Sequence, residues 1–418
     1  MEKKDYKIHV IGAGVSGLIA AKVLEDHGYH PIIIEATDRA GGRVKSDIIA
    51  GYTLDHGFQV LLTAYPAAKK YLDLEALELQ KFMPGAAIFD SGKQRIIGDA
   101  LRDISLLIPT LFSGIGNFSD KLKVLKLNNR LKRKSISALF MEKEQTTLSY
   151  LREFGFSNQM IDQFFKPFFS GIFLEPDLNT SSRMFQFVYK MFGAGYAALP
   201  KSGIEAIPKQ LAQNLKKTTF RYNTSVSRVR NKEIVLENGE IVETDYTIVA
   251  TEASNLIENL SNQPLEWNSC ETLYFETKTR VVSKPFIGLV ANNTALINNL
   301  FYHTSLKNNG NPEHELLSVT VVKNHNLSPE ALIAKVEEEL KQHCNIKVHT
   351  FIKKYTIAKA LPKLSSLHYE LSPSETRLTS HIFLAGDIQL NGSLNAAMIS
   401  GERAALGLIQ VISGDSYA

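Results

Sequence analysis

The N-terminal third alternates between apolar runs and helical spacing, as a parallel sheet covered by helices would. Lys7-Ile8-His9-Val10-Ile11 is almost wholly apolar, the pattern of a strand buried on both faces. Leu18 to His27 places Leu18, Ala21 and Leu24 at helical intervals, and Gly28 stands where a helix C-cap belongs. Pro31-Ile32-Ile33-Ile34 predicts the next strand. Shorter elements follow: strands at Ser46–Ile49 and Tyr52–Leu54 joined at Ala50-Gly51, a helix over 66–77, and a hairpin over Ala86–Ile97 turning at Asp90-Ser91-Gly92. From about Ala100 to Phe192 the period is helical. Arg221–Val229 predicts one strand, Ile234–Glu243 a hairpin about Asn238-Gly239, and Thr247–Thr251 another strand. Residues 270–325 alternate as antiparallel strands do. Ser328-Pro329-Glu330 opens a helix to about His343, with Ser as N-cap and Pro at the first position. Val348–Ile357 reads as a strand, Ile382–Asp387 as a strand ending in Gly-Asp, and Gly392–Ala405 as a loop running into a helix.

The first strand runs directly into Gly12-Ala13-Gly14-Val15-Ser16-Gly17, and the second ends in Glu35, 18 residues after Gly17. Strand, glycine turn, helix, strand and acid together predict a dinucleotide site. Gly12 permits the tight turn, Gly14 lets backbone approach a pyrophosphate, and Gly17 lets helix and strand pack closely. The helix N-terminus offers free N–H groups and a partial positive charge to the phosphates. Glu35 suits the two hydroxyls of a ribose and repels a 2′-phosphate.

Glu35-Ala36-Thr37-Asp38-Arg39-Ala40-Gly41-Gly42-Arg43 resembles the ExxxRxGGR signature of FAD enzymes of the amine oxidase, protoporphyrinogen oxidase and phytoene desaturase superfamily. The glycines let the chain pass close to a cofactor, and Arg43 adds a cation near the pyrophosphate and flavin. The resemblance implies non-covalent FAD held by Gly12, Ala13, Gly14, Val15, Ser16, Gly17, Glu35, Ala36, Arg39, Gly41, Gly42 and Arg43. Asp55-x-Gly57 matches a segment that passes the flavin ring, which brings in Gly57, Phe58 and Gln59. The strand at Val226 and the one ending at Thr251 resemble a pair that implies a main-chain contact from Val226 to the adenine. Gly386 and Asp387 match the Gly-Asp that holds the ribitol. Leu394 and Asn395 match the helix start facing the flavin pyrimidine, where a positive dipole stabilises the charge of a reduced flavin. One departure is Ala396, where that helix usually carries glycine.

The implied fold is α/β: a discontinuous, GR2-type Rossmann-like FAD-binding domain with an inserted substrate domain of antiparallel sheet plus helical cap. The expected boundaries are 1–77, 196–260 and 376–418 for the FAD domain, and 78–195 and 261–375 for the substrate domain. The phrases Asp55–Pro66 and Pro167–Ser182 look most like bacterial flavoproteins related to phytoene desaturase and protoporphyrinogen oxidase. A dehydrogenase, desaturase or oxidase is implied, moving a hydride from an apolar substrate, polyene or tetrapyrrole, to flavin N5. Oxygen or a quinone would be the final acceptor. Such a transfer requires no nucleophile, triad or metal, so no catalytic side chain is assigned; Tyr355, Tyr196 and Phe58 are candidates to border the ring. A flavin amine oxidase is the alternative, weakened because no Cys follows Cys344 and no Trp follows Trp267. The lipid-binding Rab escorts of the same architecture lack this intact glycine and GGR set. His56 reads as a structural histidine rather than a base or flavin anchor.

Composition narrows the picture a little further. The 418 residues suggest two or three domains; 44% apolar and 22% charged residues are ordinary for a globular chain. A net charge of +4 does not suggest a nucleic-acid partner. Cys270 and Cys344 are far apart, which indicates neither a disulfide framework nor a zinc site and fits a reducing compartment. The first strand follows too soon for a signal peptide, and no run is long enough for a membrane span, so a cytoplasmic protein is expected. Lys121 to Lys134 carries seven basic residues and no acid, interleaved with leucines. It reads either as a solvated helix face or, with the apolar 106–112 beside it, as a peripheral contact with anionic lipid over 104–134, at the inner face of a membrane. The phenylalanines of 164–173 read either as plain core or as the wall of a substrate tunnel.

Overall fold

The computed structural model describes residues 2–306 and 313–414. Its centre is a five-stranded, wholly parallel sheet. The strand order, named by residues, is Thr219–Arg221, Ile32–Ile34, Ile8–Ile11, Tyr246–Val249 and Ile382–Leu384. The strands come from three distant stretches of chain, and Ile8–Ile11 is central. It is buried along its whole length, because helices cover both faces of a parallel sheet. Helices Val15–Asp26 and Leu394–Ser413 pack against each other here.

A seven-stranded sheet forms the second layer system. Its order is Val348–Pro362, Trp267–Thr277, Glu315–Val321, Ile297–Tyr302, Ile287–Val290, Gly85–Asp90 and Lys93–Gly98. All neighbours are antiparallel except Ile287–Val290 and Gly85–Asp90, which run parallel. Helix Pro329–Cys344, capped by Ser328, packs on this sheet through Leu332, Val336 and Leu340. Residues 104–194 form the helical cap, which shares one continuous apolar core with the parallel sheet.

Three elements differ from their expected form. Arg221–Val229 is not one strand: Asn223 takes φ +51°, so the chain leaves the parallel sheet at Arg221. It re-forms at Val226–Arg230 in a small antiparallel sheet. The helix expected over 66–77 stops at Tyr71, because Leu72 is extended and the Asp73 carboxylate accepts from the Glu75 and Ala76 N–H groups instead. The strand expected to stop at Ile357 continues to Pro362, carrying Lys359 and Ala360 to the edge of the cavity described next.

Candidate functional site

The turn at Gly12 is set by backbone alone. Its N–H donates to Ile34 O at 2.8 Å, and φ +101° places it where L side chains are strained. A Cβ at Gly17 would sit 2.0 Å from Gly12 O, so helix and turn approach this closely only with glycine there. Gly14 is the N-cap of Val15–Asp26 and supplies no side-chain cap, while Leu18 N–H already bonds Gly14 O at 3.0 Å. The earlier N–H groups of that turn remain for a ligand, at the positive end of the helix.

Gly41 and Gly42 complete a cradle of bare backbone. Gly41 N–H donates to Ala13 O at 2.9 Å, and Gly14 and Gly41 lie side by side as bridge partners. A Cβ on Gly42 would lie 3.2 Å from Gly14 Cα. Glu35, 8% exposed, closes one end. Its Oε2 accepts from Ala13 N–H at 2.7 Å; its Oε1 accepts from the Thr37 N–H at 2.9 Å and faces the Thr37 hydroxyl at 2.8 Å. That hydroxyl has a single proton and also reaches Arg39 O at 3.0 Å, so turning it away releases Oε1 for a ribose hydroxyl.

At the other end Arg43 bonds Asp387 and donates to Ala360 O at 3.1 Å, with its guanidinium 5.2 Å from the centre of the Trp267 ring. The two motifs expected to meet at the cofactor therefore also hold each other. Gly386, at φ +130°, donates its N–H to Ser400 Oγ at 3.0 Å. Ser393 caps the following helix through the Ala396 N–H, and Ala396 is fully buried. A Cβ on Gly401 would lie 2.2 Å from Ser16 O, so the two helices that bracket the groove cross at backbone distance.

A cavity of about 1610 Å³ begins in this groove. Gly12, Gly14, Val15, Ser16, Glu35, Gly41, Gly42, Arg43, Gly57, Phe58, Gln59, Gly386, Asp387 and Leu394 line it. The other expected contacts stand back from it. Ala13 and Gly17 are spent on the turn. Ala36 is outside the lining, and Val226 pairs with Leu236 in the small sheet. Arg39 is held by Glu205 at 2.8 Å and Asp47 at 3.0 Å. Asn395 is buried with its Oδ1 on the Ala67 N–H at 3.1 Å. A groove of this length, lined by bare glycine backbone with a fixed acid at one end and an Arg–Asp pair at the other, fits FAD.

Behind the lining, titratable groups are arranged structurally. His56 is half-buried on the cavity wall, with Nε2 2.8 Å from Asp47 Oδ2 and its ring tilted against Tyr355 at 4.4 Å. Tyr355 donates to the same Asp47 oxygen at 2.9 Å and lies outside the lining, whereas Phe58 and Tyr196 are on it. Burial works to raise the Asp47 carboxyl, but hydrogen bonds from His56, Tyr355 and Arg39 outweigh it and hold Asp47 below its usual range. Asp55 is the reverse case. Burial pushes it up to about 6, against hydrogen bonds from Ser46 Oγ at 2.6 Å and Ile204 N–H at 3.0 Å. It clamps the turn Pro200–Gly203 rather than facing the cavity. Burial also pushes the Cys270 thiol, on the wall, up to about 12, which leaves it without nucleophilic character at neutral pH.

Trp267, Lys359 and Glu252 line the cavity too, and nothing in the motifs pointed to them. Lys359 bonds Glu252 at 2.5 Å and lies 5.9 Å from the Trp267 ring. The only available signal was the alternation that continues past Ile357 through Lys359 and Leu361.

Beyond the flavin end the walls become aromatic. A π-helical turn at Ile161–Phe165 runs into helix Lys166–Phe173 and divides the phenylalanines between two faces. Phe165 is fully buried against Phe156 and Phe185, while Phe164, Phe168, Phe169, Phe173 and Phe192 line the cavity. The run is therefore both core and wall. The carboxylates of this chamber are engaged or solvated: the half-buried Asp99 accepts from the Leu101 N–H at 3.0 Å, Glu175 accepts from the Asp177 and Thr180 N–H groups, Glu144 pairs with Arg183 at 3.3 Å, and Asp177 is exposed.

Known proteins resemble this chain throughout. The family model described as flavin containing amine oxidoreductase matches residues 15–409. Protoporphyrinogen oxidase 2 of Arabidopsis thaliana is 26% identical over 170 residues, covering 40% of this chain and 32% of the relative. An L-amino-acid oxidase of Protobothrops flavoviridis is 26% identical over 267 residues, covering 58% and 51%. The chain thus spans a third to a half of the length of these curated relatives. The structure of wild-type putrescine oxidase bound to putrescine has the same fold, with a TM-score of 0.71 at 17% identity, covering 97% of this chain and 99% of that one.

Proposed function

The chain belongs to the family of flavin-containing amine oxidoreductases, and from that premise we propose that it is an FAD-dependent oxidoreductase that dehydrogenates an apolar substrate of polyene or tetrapyrrole type. One observation carries this reading: the chamber beyond the flavin end is walled by Phe164, Phe168, Phe169 and Phe192, and each of its carboxylates accepts from backbone N–H groups, pairs with an arginine or is solvated. An apolar molecule gains by leaving water for such a chamber, whereas a cationic amine would lose hydration without a buried anion to replace it. The names of the relatives cover both a porphyrinogen and amino acids, so they do not choose between the two.

The flavin, when bound, supplies the hydride acceptor. This chain's residues bind and orient. The first turn of Val15–Asp26 would neutralise phosphate charge, Glu35 would hold the ribose, and the Arg43–Asp387 pair fixes the opposite end of the groove. The start of Leu394–Ser413 lines the groove, and its positive dipole would stabilise the negative charge of a bound, reduced flavin. The phenylalanines exclude water and align the C–H bond to be broken. The substrate would lose a hydride to the bound flavin and a proton to water and so become unsaturated, and oxygen or a quinone would take up the two electrons with two protons.

The test is optical. The purified protein should show a two-banded flavin spectrum, and under anaerobic conditions it should bleach on adding a polyene or a porphyrinogen. Bleaching by small amines alone would replace this reading with amine oxidation.

A further inference from the structure

Nine of the fourteen large apolar side chains that stand exposed among the described residues fall between Leu101 and Leu125. Phe112 is 84% exposed, Leu101 79% and Ile104 76%. A concentration of this kind marks an interaction surface. Helix Phe118–Arg133 shows how it is built. Leu127 and Leu131 are buried, while Phe118, Leu122 and Leu125 form a stripe on the opposite, outward face. At about 100° per residue, Lys121 and Lys132 lie within about 60° on one side of the stripe, and Lys126 and Arg133 within about 80° on the other. Arg130 and Lys134 share Glu142, but Lys126, Lys132 and Arg133 have no carboxylate partner among the described residues.

The cavity supplies an independent observation. Its lining includes Leu101, Leu107, Leu111 and Leu125, four of these same exposed side chains. The aromatic chamber therefore reaches the surface within the apolar patch.

We propose that helices Leu107–Phe112 and Phe118–Arg133 seat on an anionic lipid bilayer, and that the apolar substrate passes between bilayer and cavity at this point. An apolar stripe flanked on both sides by unpaired cations is complementary to acyl chains bordered by anionic headgroups. A second copy of the chain is the wrong partner, since it would set one basic stripe against another. The helices lie on the bilayer rather than cross it, because no helix among the described residues is long and apolar enough to span one. The seating stands on this geometry alone; the passage of substrate rests on the apolar reading above.

The experiment is co-sedimentation of the full FAD-loaded protein with vesicles of phosphatidylcholine, with and without an equal part of phosphatidylglycerol. Binding should be about tenfold or more tighter with phosphatidylglycerol and weaken as salt is added. Phe112→Ser, Phe118→Ser and Leu122→Ser together remove apolar area outside the cavity lining. They should abolish sedimentation while leaving the flavin spectrum and thermal midpoint unchanged. Lys126→Glu, Lys132→Glu and Arg133→Glu should abolish the preference for phosphatidylglycerol. A wild-type protein that stays in solution with both vesicle types overturns the proposal, as does a serine triple variant that sediments like wild type. A dimer in analytical ultracentrifugation that the serine variant dissolves overturns it in favour of self-association. Vesicle binding by a protein whose flavin bleaches only with amines would sink the substrate reading and leave the seating intact.

Discussion

The dinucleotide groove and the helical cap solve the same problem, holding a molecule in place, by opposite means. The groove works with backbone. Gly12, Gly14, Gly17, Gly41 and Gly42 succeed by having no side chain, and distances such as 2.0 Å from a Cβ at Gly17 to Gly12 O leave no tolerance. The cap works with side chains. Its phenylalanines pack in tilted and stacked pairs, such as Phe164 on Phe168 at 5.6 Å, and a change in one leaves the others a way to adjust. Cofactor recognition is accordingly rigid and local, whereas the substrate chamber is assembled from positions that can vary singly.

The sharpest way to break that contrast is Gly17→Ala. One methyl placed on a backbone oxygen forces helix and strand apart. The expected result is a protein that purifies colourless and does not take up added FAD; a yellow variant with the wild-type spectrum would show that the groove has more slack than the geometry allows.

Asp55 sits at the seam of the two systems. Ser46 and Ile204 bond its carboxylate, and Tyr274 of the large sheet donates to its backbone oxygen at 2.8 Å. Its folded value of about 6 lies above the ordinary 3.8. Stability from this group is therefore fully present below pH 3.8 and is lost as pH rises through 6. The loss is about 2–3 kcal/mol, at 1.36 kcal/mol per unit. Asp55→Asn keeps an acceptor and removes the charge. In urea titrations it should gain on wild type by about that amount between pH 4 and pH 7. A difference independent of pH would mean that Asp55 titrates as it does in the unfolded chain.

The smallest effect is expected in the cap. Phe168→Ala enlarges the chamber without touching the groove. It should lower kcat/KM for an apolar substrate about tenfold, the worth of a partly buried aromatic side chain. The flavin spectrum should not move. A loss of flavin instead would show that cap and groove are one unit.

The same contrast explains what could be read beforehand. Gly12 to Arg43 is legible because the residues that make the cradle are consecutive and each glycine answers a backbone need. Arg39 lies in that motif, yet the structure spends it on Glu205 and Asp47, partners remote in sequence or on another strand. Asn223 hid the break between two sheets, since asparagine takes a positive φ readily but does not announce it. Trp267 and Lys359 reach the cavity only because Trp267–Thr277 and Val348–Pro362 are paired strands, a fact of tertiary pairing. The phenylalanine run could be read as core or as wall, and the π-helical turn at Ile161–Phe165 decides which rings face the cavity.

The parallel sheet draws its central strand from Ile8–Ile11 and an edge strand from Ile382–Leu384, and Arg43 is tied to Asp387 across 344 positions. On the ribosome the glycine turn emerges first and must wait for its far wall. At roughly 5–20 residues per second the interval is on the order of 20–70 s. During that time Arg43 lacks its partner Asp387 and Ser16 lacks the close approach of Gly401. A cofactor that needs both walls of the groove can be held in full only once Asp387 has been made and the sheet has closed.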